Sequence, residues 1–199
     1  MKIFNNKHIF IVRLISFTAL VLFMVSKISA QNSNLPKFPI DNITNKITYL
    51  EVVYLDSTSN KQDLFLRAKE WFAKTFNSAN NVIQMQDKKE GILIGKGSFE
   101  VFITSLGMKN GGNYFNFTLS VYFKDGRYKY EFTDFTYSNN YVFKNTPAED
   151  VMNADKKDWH LTKKANFEVF SQLETNMYLI ISDLKDSMKK PISNQEIDW

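Results

Sequence analysis

The stretch YFNFTLSVYFKDGRYKYEFT, Tyr114 to Thr133, decides the fold. Its first half alternates strictly. Phe115, Phe117, Leu119, Val121 and Phe123 fall on one side, and Tyr114, Asn116, Thr118, Ser120 and Tyr122 on the other, the period-two pattern of a half-buried strand. Asp125-Gly126 follows, a dipeptide suited to the positive φ angles of a two-residue type I′ turn, and a turn of that length sets the register. Phe123 is then opposite Tyr128, Val121 opposite Tyr130 and Leu119 opposite Phe132, while Tyr122 meets Lys129 and Thr118 meets Thr133 on the other side. Turn chemistry and apolar pattern agree on an antiparallel hairpin with one core face.

Reading upstream, Leu93, Gly95, Gly97, Phe99, Val101 and Ile103 share one face of a further strand, opposite Ile94, Lys96, Ser98, Glu100, Phe102 and Thr104. Between it and the hairpin, Leu106 to Asn113 carries Gly107, Gly111 and Gly112 and reads as a turn region. Val82 to Gln86 is a short strand joined by the charged loop Asp87 to Gly91. Leu64, Phe65, Ala68, Trp71, Phe72, Thr75 and Phe76 recur at three- and four-residue steps, the stripe of an amphipathic helix. Lys46 to Leu55, rich in β-branched and aromatic residues, is the first strand.

Downstream of the hairpin, Ser138 to Lys164 shows no period and reads as a long connection, with room for a short helix over Ala148 to Asn153. A last helix runs from about Ala165 to Met188, with Phe170, Leu173, Met177, Ile180, Ile181, Leu184 and Met188 on one stripe, and Pro191 bars its continuation. The order β-α-β-β-β-β-α predicts an α+β unit of two layers: a five-stranded antiparallel sheet with two helices on one face, the other face being open or covered by loops.

Met1 to Ala30 reads as a secretory signal peptide. Lys2, Lys7 and Arg13 precede the uncharged run Leu14 to Val25, and Ile28-Ser29-Ala30 supplies a small-residue cleavage site. The run is shorter than the roughly 18 apolar residues of a membrane span. Cleavage removes four of the 25 Lys and Arg and none of the 21 Asp and Glu, leaving 21 of each sign. The basic pI therefore belongs to the targeting segment and argues for no nucleic-acid or anionic-membrane partner. There is no cysteine, so neither a lipid thioether nor a disulfide is available and the domain rests on its core. Residues 31–44, with Pro36 and Pro39, form an extended lead-in; 45–190 is one domain and 191–199 a tail.

The opening Leu35-Pro36-Lys37-Phe38-Pro39, the helix around Ala68-Lys69-Glu70-Trp71-Phe72 and the strand Gly91-Ile92-Leu93-Ile94-Gly95-Lys96-Gly97 give this chain a likeness to a known group. It resembles a family of exported Bacteroidetes proteins, domain of unknown function 4468, described as having a TBP-like fold. The resemblance implies that fold and a cell-envelope setting, and it brings no activity and no catalytic residue. TATA-binding protein presents a basic sheet with apolar wedges to the minor groove. Here the expected outer face mixes Lys96 and Lys129 with Glu100 and Glu131, which argues against DNA.

Catalytic and metal chemistry finds little to work with. His160 is the one histidine outside the leader, and with no cysteine this removes Cys nucleophiles and two-histidine or Cys-His metal sites. No Gly-x-Ser-x-Gly elbow accompanies a serine. Glu149, Asp150, Asp155, Asp158 and His160 come nearest to a ligand cluster, but Lys156 and Lys157 interrupt them and no fixed glycine turn is present, so a solvated loop with caps accounts for them better. Gly95-Lys96-Gly97 lies inside a strand pattern, where glycines mark a bulge or close packing rather than a phosphate loop. The sequons at Asn42 and Asn116 are incidental in a bacterial protein.

What keeps functional weight is the outer sheet face. Tyr114, Asn116, Thr118 and Tyr122, with Ser120 among them, form a row able to stack a flat or sugar-like ligand or to dock a peptide, and Trp159 of the following connection is placed to join or cover it. The expectation is an exported, periplasmic or secreted, non-enzymatic module that binds an envelope protein or a small ligand. It calls for no cofactor, metal, nucleic acid or retained membrane span. The alternative is an envelope hydrolase using carboxylates brought together by folding, and a cleft shared by two carboxylates of shifted pKa would favour it.

Overall fold

The structure is a computed structural model and describes residues 34–56, 58–76, 82–153 and 161–190. The leader, Trp159, His160 and the segment 191–199 lie outside the described residues. The elements are β1 (Tyr49–Tyr54), α1 (Lys61–Thr75), β2 (Ile83–Asp87), β3 (Ile92–Ser105), β4 (Met108–Lys124), β5 (Arg127–Asn139), β6 (Thr146–Pro147), α2 (Ala148–Met152) and α3 (Lys163–Lys189). In space the strands run β1-β5-β4-β3-β2, every neighbour antiparallel, and β6 pairs with β5 beyond the end of β1. This is the expected two-layer α+β arrangement, with one added two-residue strand and one added helical turn.

The hairpin register is the one its sequence dictates. Phe123 pairs with Tyr128, Val121 with Tyr130, Leu119 with Phe132, Tyr122 with Lys129 and Thr118 with Thr133. The turn chemistry differs, because only Gly126 takes a positive φ, of 70°. Asp125 is drawn instead to the start of α1, where its Oδ1 accepts from Lys61 N at 2.7 Å, an anionic group at the positive end of a helix. The positive-φ pair sits at Leu106 (50°) and Gly107 (79°), between β3 and β4, where Ser105 pairs with Met108.

Consequently Leu106 to Asn113 is not a broad turn region; a two-residue turn suffices and Met108 to Asn113 continues β4. Glycine is used there for a bulge. Val101 pairs with Asn113 and Ile103 with Asn110, so β4 holds one extra residue, with Gly112 at φ 77°. A second bulge lies in β5. Thr118 pairs with Thr133 but Asn116 pairs with Thr136, and Asp134 at φ 53° takes up the difference. Inward-facing residues therefore step from Phe132 to Phe135 and Tyr137, all buried.

The core lies between the sheet and the two long helices. Leu64, Phe65, Ala68, Trp71 and Phe72 of α1 and Val169, Phe170, Leu173, Met177, Leu184 and Met188 of α3 are buried against the odd-numbered residues of β4. Each fully buried Phe or Leu contributes roughly 1.5–3 kcal/mol. Asn60 caps α1 by accepting from Asp63 N at 2.9 Å, and Thr162 caps α3 by accepting from Ala165 N at 3.1 Å. The glycines of β3 make room for aromatic rings. A Cβ at Gly95 would stand 2.6 Å from Phe72 Cε1, and one at Gly97 2.3 Å from Phe117 Cζ.

α3 also closes part of a sheet edge. Phe102 N donates to Gln172 Oε1 at 2.9 Å, Gln172 Nε2 donates to Phe102 O at 2.7 Å, and Thr104 N donates to Glu168 Oε2 at 2.7 Å. These side chains replace a neighbouring strand where β2, which reaches only to Gly95 of β3, has ended.

The segment after β5 is more ordered than its sequence suggests. Asn139 Oδ1 accepts from the backbone N–H groups of Tyr141, Val142 and Phe143, a polar side chain doing the work of a turn. Phe143 enters the core against Tyr137, with ring centroids 5.3 Å apart. Glu149, first of the acidic run, accepts from Ile47 N at 2.7 Å and ties this segment to the start of β1. Among the described residues no three His, Cys, Asp or Glu side chains gather as a metal site, and no helix is long and apolar enough to cross a membrane.

Candidate functional site

The sheet face away from the helices is uncovered by any described element, and the bulge at Asp134 shapes it. By adding a residue to β5, the bulge turns Asp134 and Thr136 toward the outer face beside Asn116 and Thr118. There the surface sinks into a groove of about 870 Å³, lined by Lys96 and Ser98 of β3, Asn116 and Thr118 of β4, Asp134 and Thr136 of β5, and Asn145. Thr75, Phe76, Val82, Gly97 and Phe117 also line it, and the rings of Phe117 and Phe76 fill the space that a Gly97 side chain would take.

Amides and hydroxyls line one part of the groove, and Phe76, Val82 and Phe117 add apolar surface to it. Ser138 Oγ donates to Asn145 Oδ1 at 3.1 Å and accepts from Asn145 N at 2.9 Å, which holds Asn145 in its left-handed conformation at φ 50°. Asn116 Nδ2 sits 3.4 Å from Thr136 Oγ1, 3.4 Å from Asn145 Oδ1 and 3.5 Å from Ser138 Oγ. Contacts of that length are weak, so this amide is oriented by its neighbours and keeps capacity for a ligand. Among the described residues Asp134 is the only carboxylate lining the groove, and it sits 3.5 Å from Lys46 Nζ.

Carboxylates elsewhere are held below their ordinary range. Lys185 and then Tyr130 do this at Glu51, the backbone and hydroxyl of Thr44 at Asp41, and Lys189 at Asp186. None of these three lines the groove. Burial pushes the hydroxyls of Tyr49 and Tyr137 up to about 12, and Tyr137 donates to the buried Asn113 Oδ1 at 2.7 Å.

The row Tyr114, Asn116, Thr118 and Tyr122 lies on one face as its alternation requires, but the structure divides it. Asn116 and Thr118 line the groove. Tyr114, 39 % exposed, pairs with Glu100 and Ser138 at the far end and takes no part in the lining. Tyr122 belongs to a second hollow, of about 330 Å³, with Val52, Tyr54, Lys124, Arg127 and Lys129. Lys129 Nζ stands 4.5 Å from the Tyr122 ring centre and Arg127 Cζ 5.9 Å from that of Tyr54, within reach of cation–π attraction. The mixed charge expected of the outer face thus holds at Lys129 and Glu131, whereas Lys124 and Arg127 add cations at this corner.

Thr136 and Asn145 were not among the candidate residues. The signal for Thr136 is present, since Phe132, Phe135 and Tyr137 are spaced three and then two apart, a break in alternation that marks a bulge. Asn145 is brought in by the return of the chain along β6, and no local pattern announces it.

With the fold and its groove described, comparison with known proteins decides the kinship. Residues 49–138, the sheet from β1 to nearly the end of β5, match the family model "Domain of unknown function (DUF4468) with TBP-like fold". The chain is similar in fold to a TBP-like protein from Parabacteroides distasonis, with a TM-score of 0.55 and 19% identity over 74% of this chain and 97% of the other. It is likewise similar to a DUF4468 family protein from Bacteroides ovatus, with a TM-score of 0.53 and 14% identity over 77% of this chain and 92% of the other. No curated protein matches the sequence. The groove residues up to Thr136 fall within the matched segment, whereas Asn145 comes from beyond it.

Proposed function

We propose that this protein is an exported, non-enzymatic binding module of the cell envelope, and that the groove on its open sheet face is the ligand site. One observation carries the reading: a face that no described element covers holds a groove of about 870 Å³ lined by amides and hydroxyls beside Phe76, Val82 and Phe117, with one cation, Lys96, and one carboxylate, Asp134, among the described residues. Such a lining can exchange hydrogen bonds with an uncharged polar ligand, a saccharide or an extended peptide backbone, without desolvating a dense charge. The leader-like first thirty residues supply the export part of the reading.

The test is a titration of the isotope-labelled protein with saccharide and peptide fragments of envelope material, followed by amide and side-chain NMR. Shifts confined to Asn116, Thr118, Thr136 and Asn145, abolished by Asn116→Ala at unchanged melting temperature, are the expected result. A ligand whose affinity survives both Asn116→Ala and Thr118→Val would remove the groove from the account. N-terminal sequencing of protein recovered from envelope fractions should begin at Gln31; a cytosolic protein still beginning at Met1 would remove export.

A further inference from the structure

β1 is an edge strand, paired with β5 and with no other described strand. Leu55 N donates to Gly126 O at 2.8 Å, so residues of the same parity, Tyr49, Glu51 and Val53, exchange hydrogen bonds with β5. The alternation of an antiparallel ladder then turns the N–H and C=O groups of Leu50, Val52 and Tyr54 outward. Thr48, of that outward parity, shows what such a position does when a partner exists: its N–H donates to Pro39 O at 2.9 Å. Beyond Thr48 no backbone hydrogen bond joins the described lead-in to β1, although Pro39, Ile40 and Asp41 flank Leu50, and the side chains of Leu50, Val52 and Tyr54 are 53, 42 and 72 % exposed on the outer face. Natural edges are blunted by lysine, proline, a bulge or an inward-pointing charge; this one carries only the last, Glu51, which Lys185 and Tyr130 engage on the core side.

The charge beside its second half is basic. Among the described residues, the hollow that Val52 and Tyr54 share with Tyr122 is lined by Lys124, Arg127 and Lys129 and by no carboxylate, while Glu131 stands opposite Leu50 in the ladder. Lys129 is divided between the Tyr122 ring and Glu131, 3.4 Å away. Arg127, opposite Tyr54 in the ladder, leans over that ring toward the free edge.

We propose that the free edge of β1 accepts an added strand from a partner protein, an extended segment alternating acidic and apolar residues. Its backbone pairs with the outward groups of Leu50, Val52 and Tyr54, and its acidic side chains lie on the outer face toward Arg127 and Lys129. This is strand addition, in which the backbone supplies affinity and alternate side chains supply specificity. Charge selects the occupant. A second copy of this chain would offer only its own Leu50, Val52 and Tyr54 on that face and would leave the cations unopposed. The surface is separate from the groove, and the two can fail independently.

The probes are two octapeptides, one alternating Glu with Val and one alternating Lys with Val, titrated into the full protein by fluorescence anisotropy, with hydrogen exchange read at the amides of β1. The Glu peptide should bind and slow exchange at Leu50, Val52 and Tyr54, and the Lys peptide should bind at least tenfold more weakly. Arg127→Glu should weaken the Glu peptide tenfold or more, and Asn116→Ala should leave it unchanged. Val52→Pro removes one outward donor at an edge that tolerates proline and should weaken binding. Should that variant not fold, the peptide supplies the same test: of two Glu peptides N-methylated at one or the other set of alternate residues, one should lose binding and the other keep it. No binding of the Glu peptide, equal binding of both charges, or full binding of both methylated forms overturns the proposal. So does a dimer in sedimentation that Val52→Pro returns to monomer, which would make the occupant a second copy. A DNA duplex displacing the peptide from Arg127 would likewise replace a protein partner with a nucleic acid.

Discussion

At one side of the sheet the outward backbone of β3 is met by Gln172 and Glu168 of α3, and at the other the outward backbone of β1 past Thr48 meets no described strand. Both segments carry exposed apolar side chains, Phe102 on β3 and Leu50, Val52 and Tyr54 on β1. The difference therefore lies in the neighbour and not in the strand. Two side chains rising from a packed helix can satisfy the hydrogen-bonding groups that a missing strand leaves behind, because a glutamine amide has the donor and acceptor of a peptide group. α3 does this over β3. At β1 the same helix reaches inward, with Lys185 paired to Glu51 on the core side, and leaves the outward groups free.

The largest test removes the helix that makes the edges unlike. Phe170 is fully buried and packs its ring against Phe38 and Phe115 at centroid distances of 5.8 and 5.4 Å. Phe170→Asp places an unpaired charge there, and the loss should be at least about 4 kcal/mol, enough to abolish a cooperative melt. A variant that still melts near the wild-type temperature would show that α3 is not what holds the β3 side closed. Smaller and more local, Gln172→Ala removes two hydrogen bonds to Phe102 and should cost about 1–2 kcal/mol, with hydrogen exchange at Phe102 accelerating ahead of the rest of β3. Uniform acceleration along β3 would mean that the glutamine contributes to global stability and has no particular role at the edge.

Glu51 sharpens the comparison through pH. Lys185 first and Tyr130 second hold its carboxyl below the ordinary 4.5. A lowered folded pKa contributes stability above the unfolded value, and this contribution is lost as pH falls through the folded one. The pair is partly exposed, so Glu51→Gln should cost less than about 1 kcal/mol at neutral pH and should flatten the acid side of the melting-temperature profile below pH 4.5. An unchanged acid limb would place that pH dependence elsewhere. Smallest of all, Val52→Lys on the open edge should change stability by no more than about 0.5 kcal/mol, because no described strand pairs across that edge. A loss beyond about 1.5 kcal/mol would indicate a covering that the free-edge description lacks.

How much of this could be read in advance varies with the range of the interaction. The pairing of Leu119 with Phe132 follows from side-chain alternation and the length of one turn, both local. The turn type was misjudged for a non-local reason: Asp125 is engaged by Lys61 N of a helix 64 residues away in sequence, and that hydrogen bond fixes its backbone. Gly95 and Gly97 were recognisable as strand glycines, although the rings that need their space, Phe72 and Phe117, come from other elements. At the candidate site, Asn116 and Thr118 were identified by alternation alone. Their separation from Tyr114 and Tyr122 was not, because the two hollows are defined by which neighbouring strands lie beside them.

The sequence by itself determined the antiparallel hairpin, the five-strand and two-helix order and the buried side of β3, β4 and the first half of β5, because periods of two and three to four residues are properties of a local chain. Tertiary structure alone decided where the outer face sinks and which edge stays open. The Asp134 bulge swings Thr136 toward Asn116, β6 carries Asn145 back to complete the groove, and the position of α3 closes β3 while leaving β1 free. The bulge itself shows in the broken alternation of Phe132, Phe135 and Tyr137, but the neighbours it meets, the return of β6 and the position of α3 depend on residues far apart in the chain meeting in space, which no local period records.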